Sequence, residues 1–214
     1  MFKDALPEKL KAILKKITPV VMVERFYLAG GTGLALQIGH RVSEDLDFFK
    51  DISFDPNSLF LTLKSNTDSS EEVIIEAHTL LVILEGARCS FFFYGMPLVY
   101  EPVIFEGLRM ADWRDILAEK FKTISQRGSK KDFFDIFTVI KSKMLTIEEA
   151  VSIFNKRFGH TGLNSYHVLR SLTYFEDADG EPDPKMKEGY SFPWEEVKSF
   201  FMKNIREFER NFTK

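Results

Sequence analysis

Apolar positions fall into short strand-like runs in the first half of this chain and into long helical stripes in the second. Leu10, Leu14 and Ile17 recur at helical spacing behind Pro7, which predicts an amphipathic helix over residues 7–18. Phe26-Tyr27-Leu28-Ala29 reads as a short apolar strand running into Gly30-Gly31. Thr32 to Ile38 then read as a short helix that stops at Gly39. Asp45 to Phe49 predict the next strand and residues 56–65 a helix. Residues 79–85 and 88–94 are apolar arms of a hairpin turning at Glu85-Gly86-Ala87, and residues 102–110 supply one more strand. From Asp112 the pattern is helical, over about 112–126, 130–143, 146–157, 164–172 and 193–212. Residues 176–189 are polar and rich in glycine and proline, so they form a loop. The expected organisation is an α/β half over residues 1–110 followed by a helical half over 111–214.

Two helices carry a charged residue where the apolar stripe runs. At about 100° per residue, Lys120 falls among Trp113, Ile116, Leu117, Phe121 and Ile124. On the next helix Asp132 falls between Val139 and Ile136, with Asp135 one step further out. A lysine on a buried stripe must snorkel to water or meet an anion. An aspartate in a first turn also favours the helix dipole. Together the two residues either pair with each other or share a substrate.

Composition narrows the picture. Hydrophobic residues make up 44% and charged residues 29%, values of a soluble globular protein long enough to bury a sizeable core. The 22 phenylalanines predict a core filled by aromatic rings. A formal charge of −3 gives no global pull toward nucleic acid, so a polyanion would have to be gripped locally. Such a patch exists: between Lys120 and Lys143 seven basic residues, among them Arg127, Lys130 and Lys131, face two acidic ones. The single cysteine, Cys89, cannot form an internal disulfide, and no cleavable leader or membrane span is evident, so the chain is expected in the cytoplasm without membrane attachment.

The candidate chemistry lies in Gly30-Gly31-Thr32 and Asp45-x-Asp47. Glycines at a helix start let backbone N–H groups approach phosphate oxygens. Two aspartates at i and i+2 of a strand share a face, where they can hold a divalent metal. A phosphate cradle and a metal platform are the minimal parts of a phosphoryl- or nucleotidyl-transfer site. The same residues serve transfer of a γ-phosphate, and a catalytically silent RNA- or protein-binding fold is the reading from another class.

The run Gly30-Gly31-Thr32 … Arg41-x-Ser43-x-Asp45-Leu46-Asp47-Phe48-Phe49 resembles the first motif of the AbiEii/AbiGii toxin nucleotidyltransferases, in the DNA-polymerase-β-like superfamily. Asp112-Trp113-Arg114-Asp115 … Lys120 resembles the family's aspartate-to-lysine motif, and Arg127 … Asp132-Phe133-Phe134-Asp135 its arginine–aspartate–aspartate motif. The resemblance implies an α+β fold with a nucleotidyltransferase-type mixed β-sheet, flanking helices and a helical half that completes the active-site cleft. It implies a nucleoside triphosphate as substrate, with Mg²⁺ on Asp45 and Asp47. Gly30, Gly31, Thr32, Arg41, Ser43, Arg127, Lys130, Lys131 and Asp135 would then bind nucleotide, Lys120 would meet its phosphates, and Asp132 would orient or deprotonate the acceptor hydroxyl. It further implies the toxin of a type IV toxin–antitoxin or phage-defence pair, a cognate antitoxin, and RNA of the tRNA class as acceptor. Many members of the superfamily carry a third carboxylate on a later strand. The counterpart here is Ser90, with Glu85 the nearest acid, which leaves the general base open.

Overall fold

The computed structural model describes residues 1–213. It divides into two compact units, Met1–Asp112 and a second beginning at Trp113. The first unit holds α1 (Glu8–Val23), β1 (Tyr27–Leu28), α2 (Gly30–Ile38), β2 (Asp45–Lys50), α3 (Pro56–Ser65) and the strands β3 (Ser70–Glu76), β4 (Thr79–Leu84), β5 (Ala87–Phe93), β6 (Val103–Phe105) and β7 (Leu108–Met110). Its seven strands form one mixed sheet in the order β3-β4-β5-β2-β1-β7-β6. β2 runs parallel to β5 and β1 parallel to β7, while the other neighbours are antiparallel. The fold is α+β.

Strict alternation builds the central strand. Leu46, Phe48 and Lys50 point inward along β2, and Asp45, Asp47 and Phe49 lie on the opposite, half-buried face. Phe48 stacks on Phe91 at 5.0 Å between ring centroids, and Phe26 meets Phe91 edge-on at 5.3 Å. Leu10, Ile13, Leu14 and Ile17 of α1 and Leu59 and Leu63 of α3 join the same core. The α1 helix runs through Pro19, beyond the predicted end, because Val20 and Val21 extend its buried stripe and offset the lost backbone hydrogen bond. The hairpin turn is tight, with Glu85 and Gly86 both at positive φ (49° and 74°). Pairing continues one strand further than expected, to β3, an acidic edge strand with a register shift between Glu72 and Ile74.

The second unit is helical: α4 (Trp113–Arg127), α5 (Lys130–Ser142), α6 (Ile147–Phe158), α7 (Ser165–Ser171), α8 (Glu176–Asp179) and α9 (Trp194–Phe212). α6 starts on a capping box between Thr146 and Glu149. Phe121, Phe133, Phe154, Phe201 and Phe208 are all fully buried, so the phenylalanines are spent on cores in both units. Buried Arg157 ties α6 to α4 through Asp115 and through Glu119 at 2.8 Å. α8 is a single turn inside the segment expected to be loop. No helix among the described residues is long and apolar enough to cross a membrane.

Candidate active site

The glycine pair and the aspartate pair meet in the first unit. Ala29 N–H donates to the Asp47 carbonyl at 3.0 Å, which fixes the start of α2 beside β2. Gly30 takes a left-handed φ of 60°, and a Cβ there would stand 2.6 Å from Asp47 Oδ2. A Cβ on Gly31 would stand 2.1 Å from the Arg41 guanidinium. The left-handed backbone and the close carboxylate call for glycine at Gly30, while a side chain at Gly31 would have to push the Arg41 guanidinium aside. Thr32 Oγ1 is hydrogen-bonded to Ser43 Oγ at 2.8 Å and to the Asp45 carbonyl, so the helix start is also laced to the entry of β2. The N–H groups of this first turn have no partner within the helix by geometry and are suited to phosphate oxygens. Gly30→Ala is therefore expected to lower the melting temperature by about 2–8 °C, from a left-handed strain of about 1–2 kcal/mol. It should also weaken Mn²⁺ binding by displacing the Asp47 carboxylate; unchanged melting and Mn²⁺ titration curves would refute both effects.

The carboxylates suit a divalent ion. They sit two residues apart on one face of β2. Asp45 Oδ1 is buried and accepts no hydrogen bond among the described residues. Such an oxygen is costly unless a cation satisfies it; the Arg88 Nε stands 2.7 Å away, and a divalent ion would satisfy the same oxygen more fully. No group of three or more His, Cys, Asp or Glu side chains able to hold a metal occurs among the described residues. Two carboxylates completed by substrate phosphates are the usual donor set for Mg²⁺, and this site fits that description.

The β2–β5 register sets the neighbours of these aspartates. Ser90 lies beside Asp47, so the strand residue next to that aspartate carries a hydroxyl and no acid. Glu85 does not replace it: its carboxylate is bound by Lys16 at 2.7 Å and by Asp68 N–H at 3.0 Å. Cys89 lies inward beside Leu46, and burial, with Asp47 and Asp45 adding to it, pushes its thiol up to about 12. It is inert near neutral pH. Arg88 lies beside Asp45, with Nε 2.7 Å from Oδ1. Sequence reasoning missed Arg88. The available signal was the matched alternation Leu46-x-Phe48 and Cys89-x-Phe91, which aligns Asp45 with Arg88 once the two strands are paired in parallel.

In the helical unit Lys120 and Asp132 meet each other. Lys120 Nζ lies 2.5 Å from Asp132 Oδ1 and 2.7 Å from Asp135 Oδ2, all three residues being buried. Arg127 Nε reaches Asp132 Oδ2 at 3.1 Å from a half-exposed side chain. Burial pushes the Asp132 carboxyl upward, yet the charges of Lys120 and Arg127 and their hydrogen bonds overcome it and hold it below the usual carboxylate range. With both oxygens accepting from cations, Asp132 is better suited to fixing Lys120 and Arg127 than to taking a proton. Lys130 is also committed: its ammonium lies 3.1 Å from Asp183 and 5.4 Å over the Trp194 ring. Lys131 is half-buried at the start of α5. Beside Arg127 opens a groove of about 570 Å³ whose lining includes His167, Arg170, Tyr174 and Asp177.

Comparison with known proteins bears on the family and the fold. The family model of the AbiEii toxin, a nucleotidyl transferase of type IV toxin–antitoxin systems, matches residues 12–83. An uncharacterised protein of Aquifex aeolicus is 32% identical over 209 residues, covering 96% of this chain and 98% of that one. Among solved structures, JHP933 from Helicobacter pylori shares the fold with a TM-score of 0.53 at 15% identity, covering 96% of this chain and 95% of its own. The Megavirus polyadenylate synthase is matched with a TM-score of 0.48 at 12% identity; 66% of this chain is covered but only 36% of that longer one. The family model matches the segment that holds the glycine and aspartate pairs, the relative matches the chain from end to end, and this chain belongs to the AbiEii nucleotidyl transferase family.

Proposed function

We propose that this chain transfers a nucleotide from a nucleoside triphosphate to a hydroxyl of RNA, with Mg²⁺ on Asp45 and Asp47, as the toxin of a type IV toxin–antitoxin pair. The observation that carries the reading is the placement of the Asp47 carboxylate where a Cβ on Gly30 would stand, beside an Asp45 oxygen that is buried without a hydrogen bond. The first-turn N–H groups of α2 bind the β- and γ-phosphates, assisted by the Arg41 guanidinium over Gly31. Thr32 and Ser43 fix the backbone at Asp45, so the carboxylates keep their spacing when substrate arrives. Bound Mg²⁺ would neutralise the charge that builds on the leaving pyrophosphate. The acceptor oxygen forms a bond to the α-phosphorus, the α–β bridging bond breaks, pyrophosphate departs and the hydroxyl proton is lost.

For the helical unit, the same reading makes Lys120, Asp132 and Asp135 positioning residues. They hold the Arg127 guanidinium at the surface, where with Lys131 it offers positive charge to phosphates. Lys130 serves as a strut under Trp194. The groove lined by Arg127, His167 and Arg170 suits the phosphodiester backbone of the acceptor, with Tyr174 available for stacking. An antitoxin is the expected partner, as the family description implies.

Incubation with total RNA and triphosphates labelled at the α- or γ-phosphate tests this directly. Label from the α position is expected in RNA, dependent on divalent metal, with none from the γ position. Label from the γ position instead would identify a phosphotransferase, and label from neither a silent RNA- or protein-binding member of the fold.

A further inference from the structure

Arg88 stands apart from the other cations of the first unit. It is the strand neighbour of Asp45, its Nε lies 2.7 Å from Asp45 Oδ1, and its side chain is 69% exposed while that of Asp45 is 32% exposed. The contact is close but does not make a directed hydrogen bond, since the same oxygen accepts none. A guanidinium meant as a permanent partner for a carboxylate forms the two-pronged, in-line arrangement that is hard to displace. This one meets Asp45 through Nε from a mostly exposed side chain, where an ion pair is weak and easily exchanged. The charge it supplies falls where charge is needed, because Asp45 and Asp47 lie on one face of β2 and repel each other without a cation between or beside them. A divalent ion held by the same oxygen would repel Arg88 in turn, and the freed side chain, long and already outside, stays within reach of whatever phosphate the site holds.

We propose that Arg88 is an exchangeable counter-cation of the metal site: it neutralises Asp45 while no metal is bound, gives way when a divalent ion binds, and turns its guanidinium to the phosphates of the incoming triphosphate. This rests on the reading of Asp45 and Asp47 as metal carboxylates. It makes Arg88 a competitor of the metal without nucleotide and a helper with nucleotide, so removing it has opposite effects on the two bindings. A residue that only held β5 in place would weaken both.

The test is titration of the full chain with Mn²⁺, following the free-ion electron paramagnetic resonance signal, with and without a non-hydrolysable triphosphate analogue. The proteins are wild type, Arg88→Gln, Arg88→Lys and Asp45→Asn. Without the analogue, Arg88→Gln is expected to bind Mn²⁺ about two- to fivefold more tightly than wild type, the scale of an exposed ion pair. With Mn²⁺ saturating, it is expected to bind the analogue about tenfold more weakly, the scale of a lost charge-assisted hydrogen bond. Arg88→Lys should lie between the two on both measurements. Equal or weaker Mn²⁺ binding by a folded Arg88→Gln, with wild type binding normally, overturns the exchange while sparing the metal site. Absence of Mn²⁺ binding by wild type, indistinguishable from Asp45→Asn, overturns the metal reading and the exchange together.

Discussion

Replacing Asp47 by asparagine is expected to cut nucleotidyl transfer by on the order of a thousandfold, the loss typical of removing one preorganised electrostatic contact to developing charge. The substitution keeps the shape of the side chain against Gly30, so the start of α2 is undisturbed. What goes is one negative charge of the pair, and with it the donor set that suits Mg²⁺. Asp45→Asn should lose a similar amount, since it removes the other charge of the pair that would hold the metal. Because that aspartate pairs, among the described residues, with an exposed arginine, its loss should cost about 1 kcal/mol of stability at most. Transfer of α-label to RNA, together with circular dichroism of the purified variants, checks both. Folded variants with near wild-type transfer would sink the assignment of these carboxylates.

Replacing Lys120 by methionine is the substitution expected to damage the fold most. It leaves Asp132 and Asp135, both wholly buried, without the cation that lies within 2.7 Å of each. Removing one partner of such a pair costs about 3–5 kcal/mol, roughly 6–20 °C in melting temperature for a chain of this size. Arg127 holds Asp132 from a half-exposed position, so it offsets only part of the loss. The double change Lys120→Met with Asp132→Asn should recover part of the loss, because one of the stranded charges goes with it. The pH dependence follows from the lowered carboxyl of Asp132. Its stabilising contribution is present above the unfolded carboxylate value near pH 4 and is lost as pH falls through that value toward the folded one. Wild type should therefore lose stability below about pH 4 more steeply than Asp132→Asn. Denaturant melts at several pH values measure this, and a Lys120→Met protein as stable as wild type would remove the buried triad from the account.

Much of this architecture is legible in the residues because local signals agree with long-range packing. The stripe of Lys120 and the turn of Asp132 were anomalous on their helices, and each is the other's remedy. Gly39 ends α2 in the left-handed conformation that its position suggests. What escaped the sequence lacked a local signal or contradicted one. The β3 strand is an edge of Ser, Glu and apolar residues, and its bulge breaks the period of two that would announce it. The expected helix ends at residue 18, just before Pro19, but burial of Val20 and Val21 outweighs one missing hydrogen bond and carries it to Val23. Arg88 lies far from Asp45 along the chain, and only the parallel register of two strands makes them neighbours. The first motif named the candidate phosphate and metal residues; the side chain beside Asp45 came from the sheet.

The order of the sheet has a consequence for how steadily the site is held. β2 is the middle of the seven strands, with β3 and β6 at the two edges. Amide exchange and fraying start at edges, where backbone groups meet water, and reach the middle only in large openings. The aspartates thus ride on backbone that is expected to be among the last in the unit to let go. Breathing at either edge can proceed on its own timescale without altering the distance between Asp45 and Asp47. A site of two short side chains tolerates little error in that distance, and three layers of neighbouring strand on each side keep it constant.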